Sequence, residues 1–113
     1  STEESEENCA AMAVQELREY LENGNIINSV NFPSCTLERE APIRFCITHR
    51  NVPSMLKQFS AMFGENNINI ENMLNKSKGN YAYTILEVEK IPDNGTIETL
   101  EKLDGVLKVR VIK

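Results

Sequence analysis

The region from Ile43 to Lys113 switches repeatedly between two apolar periodicities, and this switching restricts the fold more than any other feature of the sequence. Apolar side chains at every second position predict β-strands, whereas apolar side chains at every third or fourth position predict amphipathic helices. The pattern predicts, in chain order, a strand over 43–49, a helix over 53–66, a strand starting at 68, a strand over 81–89, a helix starting at 92–95 and a strand over 107–111.

Turn residues support these boundaries. Lys78-Gly79-Asn80 predicts a tight hairpin between the second and third strands. Asn66-Asn67 is expected to end the first helix, and Gly105 is expected to end the second. The last strand is expected to bury its alternate apolar residues, Leu107, Val109 and Val111.

This order of elements predicts an α+β, ferredoxin-like βαββαβ fold. When parallel strands are joined by right-handed connections, the order gives a four-stranded antiparallel sheet with both helices on one face. The other face and the edge strands then stay uncovered, which favours side-by-side pairing with a second copy of the chain. Such pairing would bring the loop after the first strand of one chain to the start of the second strand in its neighbour.

The first 42 residues differ in character, and we expect a domain boundary between residues 1–42 and 43–113. Apolar residues at helical spacing predict a helix over 8–22, ended by Asn23-Gly24-Asn25; they are Ala10, Ala13, Val14, Leu17 and Leu21. The apolar run Ile26–Pro33 predicts an extended segment that pairs with an edge of this chain or of a neighbouring chain. Residues 33–42 have the composition of a linker.

Composition excludes several classes of function. A net charge of −5 argues against a nucleic-acid partner, which requires clustered lysine and arginine. The three cysteines are widely spaced without a Cys-x-x-Cys pair, so we expect reduced thiols and no metal site. No apolar run approaches the roughly 20 residues that span a bilayer, and the first residues lack the positive charge of a signal peptide. We therefore expect a cytoplasmic chain with no membrane partner, and a fragment because an initiating methionine is absent.

The candidate site lies where the first predicted strand meets the first predicted helix. His49 and Asn51 come at the end of the strand, and Pro53 is expected at the first helical position, where proline is favoured because no amide hydrogen bond is needed. The unpaired amides and the positive end of the helix dipole attract a carboxylate or phosphate. Side-chain hydrogen bonds from His49, Asn51 and Asn69 would make such a site selective.

Each of these three residues also has a simpler interpretation. His49 could be a solvated histidine at a strand end. Asn51 could only cap the helix. Asn69 could only be part of the turn that follows Asn66-Asn67.

At these residues the sequence resembles a known family. Residues 43–113 resemble an ACT domain, and two motifs resemble the ACT domain of D-3-phosphoglycerate dehydrogenases: His49-x-Asn51-x-Pro53-x-x-Leu56 and Asn67-Ile68-Asn69-Ile70. The predicted helix at 8–22 and the run Asn28–Pro33 resemble the last helix and closing strand of the substrate-binding domain in those enzymes. Ser54 departs from the family pattern, which commonly has glycine after the proline.

The resemblance implies a regulatory domain that binds L-serine, or a similar small amino acid, between two subunits and thereby inhibits the enzyme. It implies effector-binding residues on both sides of this interface, with one set from the first chain and a second set from its neighbour: His49, Asn51, Val52, Pro53, Ser54, Met55 and Leu56, then Asn69 and Ile70. The implied assembly is a homodimer through side-by-side ACT sheets, within a parent homotetramer.

We expect no catalytic residue and no cofactor in this chain. It has one histidine, no nucleophile with a neighbouring base, and no Gly-x-Gly-x-x-Gly turn for a dinucleotide. The resemblance implies that NAD and the catalytic residues belong to another part of the parent enzyme, an NAD-dependent oxidoreductase.

Two other functions stay open. The chain could be an ACT dimerisation module that binds no effector. It could also bind RNA, because Lys78–Tyr83 partly matches the aromatic strand motif of RNA-recognition modules, although Asn80 breaks the spacing and the acidic charge is unfavourable.

Overall fold

The structure, a computed structural model, describes the backbone of residues 3–113 and the side chains from residue 11 onward. In this described part the elements are α1 (Glu3–Asn23), β1 (Ile43–Arg50), α2 (Met55–Glu65), β2 (Ile70–Lys78), β3 (Tyr81–Val88), α3 (Asn94–Lys102) and β4 (Val106–Ile112). From β1 onward, the order of elements is the one that the apolar periodicity predicts.

The four strands form one antiparallel sheet in the order β2-β3-β1-β4, which confirms the predicted ferredoxin-like α+β fold. Phe45 of β1 lies opposite Leu86 of β3, and both side chains point to the face that α2 and α3 cover. Phe59 and Phe63 of α2 pack into the same cluster as Leu100 of α3. Both helices therefore lie on one face of the sheet, as predicted.

The second face of the sheet is covered, so the prediction of an open face is wrong. Residues 20–37 of the same chain fold across the two central strands and bury the second row of side chains. The resulting cluster contains Ile26, Cys35, Cys46, Tyr83 and Ile85. Both faces of β1 and β3 are therefore buried, and the second row mixes these apolar side chains with the buried charges of Arg44 and Glu87.

The predicted pairing of Ile26–Pro33 with an edge of its own sheet is also wrong, whereas pairing with a neighbouring chain stays a prediction. In the described structure this segment makes a single isolated bridge, Ile26 to Cys35, and it forms no strand with a sheet edge. Val30 is 84% exposed at the tip of the resulting loop. The loop lies on the face of the sheet because Ile26 there packs against the second row of side chains on β1 and β3 and removes their apolar surface from water.

Helix α1 confirms the helix predicted over 8–22, and Gly24 ends it in the left-handed conformation (φ +71°). A Cβ atom at Gly24 would overlap Cys46 Sγ, so glycine is required by packing as well as by φ. Three residues of the predicted apolar stripe, Val14, Leu17 and Leu21, are more than half exposed. The side chain of Ala10 lies outside the described residues.

Two arginines of the sheet hold the C-terminal end of α1. Arg110 donates to the carbonyl oxygens of Tyr20 and Leu21, both at 2.9 Å, and its guanidinium lies 4.8 Å from the centre of the Tyr20 ring. Arg44 donates to the carbonyl oxygen of Asn23 at 2.9 Å. The Tyr20 carbonyl also accepts a hydrogen bond from the amide of Gly24 at 2.8 Å, so the arginines add to a glycine cap.

Three predicted details are wrong for local reasons. Helix α2 begins at Met55, because Ser54 adopts a left-handed conformation (φ +76°) and so keeps Pro53 in the preceding loop. Strand β2 begins at Ile70 and not at residue 68. A register shift opposite Thr48 and His49 turns Leu107 outward, where it is 55% exposed, and Val106 packs against the core in its place.

The hairpin and the second sheet helix follow the prediction. Lys78 pairs with Tyr81 across a two-residue turn that contains Gly79 at φ +61°. The side chain of Asp93 caps α3 by accepting a hydrogen bond from the amide of Thr96 at 2.8 Å. Among the described residues, no helix is long and apolar enough to span a membrane.

Candidate functional site

The predicted residues from the end of β1 to the start of α2 share one cavity of about 510 Å³. The cavity opens between the loop after β1, the first turn of α2 and the middle of β2. Its lining residues are His49, Asn51, Val52, Pro53, Ser54, Met55, Leu56, Lys57 and Asn75. The seven predicted residues of this stretch are therefore brought together. This cavity is the candidate effector site.

His49 lies at the inner wall of the cavity and is only 2% exposed. Its Nδ1 atom is 2.9 Å from the carbonyl oxygen of Arg50, and its Nε2 atom is 2.7 Å from Thr84 Oγ1. The ring packs edge-on against Phe59, with 5.1 Å between the ring centres. Burial lowers the pKa of His49 below its usual value of 6.5, although the hydrogen bond to Arg50 opposes this effect. The imidazole is therefore neutral at pH 7.

Asn51 ties the site loop to the β2–β3 hairpin. Its backbone amide donates to the carbonyl oxygen of Asn80 at 2.8 Å, and its Nδ2 atom donates to the carbonyl oxygen of Gly79 at 3.1 Å. Since Ser54 occupies the N-cap position of α2, Asn51 does not cap this helix. The two bonds hold the exposed Asn51 side chain at the rim of the cavity.

The first turn of α2 supplies the positive part of the site. Ser54 makes no side-chain capping bond, and its hydroxyl instead accepts a hydrogen bond from Gln58 Nε2 at 3.1 Å. The first amides of a helix have no partner within the helix, and here they adjoin the cavity. Lys57 is the one charged side chain among the lining residues, which include no carboxylate. The arrangement favours an anionic group.

Asn69 and Ile70 lie at the other end of the sheet. Ile70 is opposite Val88 of β3, whereas the cavity adjoins the end at which Arg50 is opposite Tyr81. Seven residue steps along β3 separate the two ends, which is about 23 Å at 3.3 Å per residue. Within one chain, Asn69 lines a separate cavity of about 230 Å³ beside Asn67, Ile68, Glu71, Glu89 and Lys90.

The sequence argument missed two polar residues that line the cavity, Lys57 and Asn75, and the buried Thr84 that Asn75 contacts. Asn75 of β2 lies opposite Thr84 of β3, and Thr84 Oγ1 contacts both the Asn75 carboxamide, at 2.9 Å, and His49. One signal was available in the sequence, because Thr84 interrupts an otherwise apolar row on β3. The position of Asn75 depends on the β2–β3 register, which the sequence pattern did not define.

The aromatic strand motif is not available for RNA. Tyr83 is 2% exposed, and its hydroxyl donates to the carbonyl oxygen of Gly24 at 2.7 Å beneath the covering segment. Tyr81 is partly exposed but packs near Phe32, with 6.2 Å between ring centres. Stacking of bases requires open aromatic faces on the sheet, so this structure argues against the RNA-binding alternative.

Comparison with known proteins places the chain in a family. No family profile matches it. It is 30% identical over 113 residues to D-3-phosphoglycerate dehydrogenase of Haemophilus influenzae and 33% identical over 113 residues to a putative D-3-phosphoglycerate dehydrogenase of Schizosaccharomyces pombe. These alignments cover 99% and 94% of this chain. The ACT domain of a GTP pyrophosphokinase from Chlorobium tepidum has a similar fold, with a TM-score of 0.50 at 18% identity over 62% of this chain and 95% of that domain.

The chain corresponds to the C-terminal part of D-3-phosphoglycerate dehydrogenases, and from β1 to β4 it has the fold of an ACT domain. It spans about a quarter of the length of these relatives, 28% of the Haemophilus protein and 23% of the Schizosaccharomyces protein. The sheet and helices from β1 to β4 form the ACT domain, and the candidate site lies at its first strand-to-helix junction.

Proposed function

We propose that this chain is the effector-binding regulatory part of a D-3-phosphoglycerate dehydrogenase and that it binds L-serine for feedback inhibition. The observation that carries the proposal is the cavity between β1 and α2, where helix amides, Lys57 and two asparagines surround a space of about 510 Å³. Catalysis and NAD binding belong, in this proposal, to the remaining part of a cytoplasmic homotetrameric enzyme. The residues of this chain supply recognition only.

The chemistry of the cavity fits a small zwitterion. A carboxylate is matched by the first amides of α2 and by Lys57, while an ammonium group and a hydroxyl are matched by carboxamide and carbonyl oxygens. Each hydrogen bond to a charged group contributes roughly 1.5–3 kcal/mol. Three or four such bonds, reduced by the cost of ordering the ligand, give a dissociation constant on the order of micromolar.

The proposed site requires a second copy of the chain. In its own chain Ile70 is five residues along β2 from Asn75, where the cavity begins, or about 16 Å at 3.3 Å per residue. Asn69 and Ile70 therefore reach a ligand in this cavity only from a neighbour. An isologous dimer with sheets side by side places the start of one β2 beside the β1–α2 loop of the other, twice over. Since L-serine would bridge the subunits, its binding would favour one orientation of the dimer, which is the coupling that inhibition requires.

Calorimetric titration of the full chain with L-serine tests the proposal, with glycine and D-serine as controls. We expect stereospecific binding near one L-serine per chain. Absence of heat, together with no thermal shift at millimolar L-serine, would contradict effector binding and leave a dimerisation module.

Mixing two variants tests the bridging geometry. Asn51→Ala and Asn69→Ala should each lose binding, because every site in either homodimer lacks one asparagine. Equal mixing makes half of the dimers mixed, and each mixed dimer has one complete site, so about a quarter of the sites should recover. If the mixture binds no L-serine although both variants fold, the ligand does not bridge two chains through these asparagines.

A further inference from the structure

We infer that Asn75 contacts the ligand in the effector cavity through its carboxamide oxygen, and that Thr84 and His49 hold this oxygen in position. The inference rests on the proposed function and names the acceptor for the ammonium group of the amino acid. The three side chains form a continuous chain across β1, β3 and β2, with His49 at the inner wall and Asn75 lining the cavity.

The donor in each hydrogen bond of this chain can be assigned by starting from the carbonyl oxygen of Arg50, which can only accept. A carbonyl oxygen only accepts, so the His49 nitrogen that lies 2.9 Å away must carry a proton. That nitrogen is Nδ1, and in a neutral imidazole the other nitrogen, Nε2, is then an acceptor. The group next to Nε2, at 2.7 Å, is the hydroxyl of Thr84. Thr84 therefore donates its only proton to His49.

The same count fixes the orientation of Asn75. Once the hydroxyl proton of Thr84 is used, Thr84 Oγ1 only accepts from the Asn75 carboxamide 2.9 Å away. In the structure Oδ1 of Asn75 lies 2.9 Å from Thr84 Oγ1, and a half-turn of the carboxamide exchanges Oδ1 with Nδ2 at almost no change in shape. Because the hydrogen-bond network decides between these two orientations, Nδ2 faces Thr84 and Oδ1 faces the cavity.

This arrangement gives His49 and Asn75 different roles. Both ring nitrogens of His49 are bonded within the protein and the residue is buried, so the imidazole positions its neighbours. Asn75 is half-buried and brings a hydrogen-bond acceptor to a cavity whose lining has no carboxylate. An ammonium group entering beside a carboxylate bound at α2 therefore meets an acceptor, so the site selects α-amino acids over hydroxy acids.

Asn75→Leu tests this assignment in the full chain, with Asn72→Leu as the matched control. Asn72 lies on the same strand, and its Nδ2 atom bonds the carboxylates of Glu87 and Glu40, away from the cavity. We expect Asn75→Leu to weaken L-serine binding at least tenfold, whereas Asn72→Leu lowers the melting temperature but changes the dissociation constant less than twofold. Thr84→Val should weaken binding like Asn75→Leu, and Thr84→Ser should restore it, because only the hydroxyl orients the carboxamide.

A second ligand separates a binding role from a structural one. L-glycerate has a hydroxyl group in place of the ammonium group of L-serine, so the wild-type chain should prefer L-serine and Asn75→Leu should lose most of that preference. If Asn75→Leu keeps both the affinity and the preference of the wild type, the role of Asn75 is refuted while the proposed function stands. If the wild-type chain binds no amino acid at all, both proposals fall.

Discussion

The buried ion pair between Arg44 and Glu87 gives the largest stability effect that the structure predicts. Both side chains are fully buried, and Arg44 Nε lies 3.1 Å from Glu87 Oε2. Glu87 also accepts from the amide of Glu40 at 3.2 Å and from Asn72 Nδ2 at 3.1 Å, and it lies 3.6 Å from Arg39 Nε. These contacts join Arg39 and Glu40, in the stretch that leads into β1, to the central strands of the sheet. The change Glu87→Gln keeps the shape but leaves the charge of Arg44 uncompensated.

We expect Glu87→Gln to lower the free energy of unfolding by about 3–5 kcal/mol, the usual cost of removing one partner of a buried pair. The total free energy of unfolding of a domain of this size is roughly 5–15 kcal/mol, so the variant should be close to the limit of folding. Urea unfolding followed by far-ultraviolet circular dichroism measures the change, since the chain has no tryptophan. With a urea dependence of about 2 kcal/mol per molar, the midpoint should fall by about 2 M.

The double variant Arg44→Met, Glu87→Leu is the control for charge. It removes both charges and fills the volume with apolar groups, so it should be more stable than Glu87→Gln alone. The carbonyl oxygens of Asn23 and Leu37 lose their donor in this variant, so some loss relative to the wild type is expected. A loss below 1 kcal/mol for Glu87→Gln, or a double variant less stable than Glu87→Gln, would refute the reasoning.

Three further changes follow from single positions. Ser54→Gly should raise the free energy of unfolding by about 0.5–1 kcal/mol, because a left-handed residue with a side chain costs about 1–2 kcal/mol and glycine returns part of this through its unfolded-state entropy; an unchanged or lower melting temperature would argue against strain there. Gly24→Ala should lower the free energy of unfolding by about 2–4 kcal/mol, because of the positive φ and the contact with Cys46 Sγ. Gly79→Ala, also at positive φ but in open space, should lower it by about 1–2 kcal/mol in the same urea titration. Equal losses would exclude a packing role for Gly24. His49 has a lowered pKa when folded, so the unfolded chain binds the proton more readily and stability should fall as the pH drops below about 6.5; His49→Gln should flatten this part of the pH profile, and identical profiles would show that the folded and unfolded pKa values are equal.

The order of strands and helices was predictable because it depends on local periodicity. Each strand of the sheet and each helix on it has its own apolar pattern, and the antiparallel arrangement follows from the order. The start of α2 was not predictable, because the left-handed Ser54 is set by how the loop returns to the hairpin through Asn51. The outward turn of Leu107 arises from a register shift opposite β1, which a strand's own alternation does not encode.

The covering segment shows where sequence patterns give no information. Nothing in the apolar run Ile26–Pro33 distinguishes pairing with an edge from packing across a face. The deciding partners, Cys46, Tyr83 and Ile85, are on strands far away in the sequence. In the candidate site, seven of the eight residues from His49 to Leu56 line one cavity because they are neighbours in the sequence. Asn75 lines the same cavity only because β2 pairs with β3 in the observed register.

Helix α1 is attached to the sheet at its C-terminal end. A helix of 21 residues is about 31 Å long, and Arg44 and Arg110 join only its last turns to the sheet. A rigid helix held in this way would turn about the residue that ends it, Gly24. A rotation of about 10° there would move the far end by about 5 Å, comparable to one helical turn. A change of a few degrees in the angle between the sheets of two paired chains would thus move the distant end of α1 far enough to exchange one side-chain contact for another.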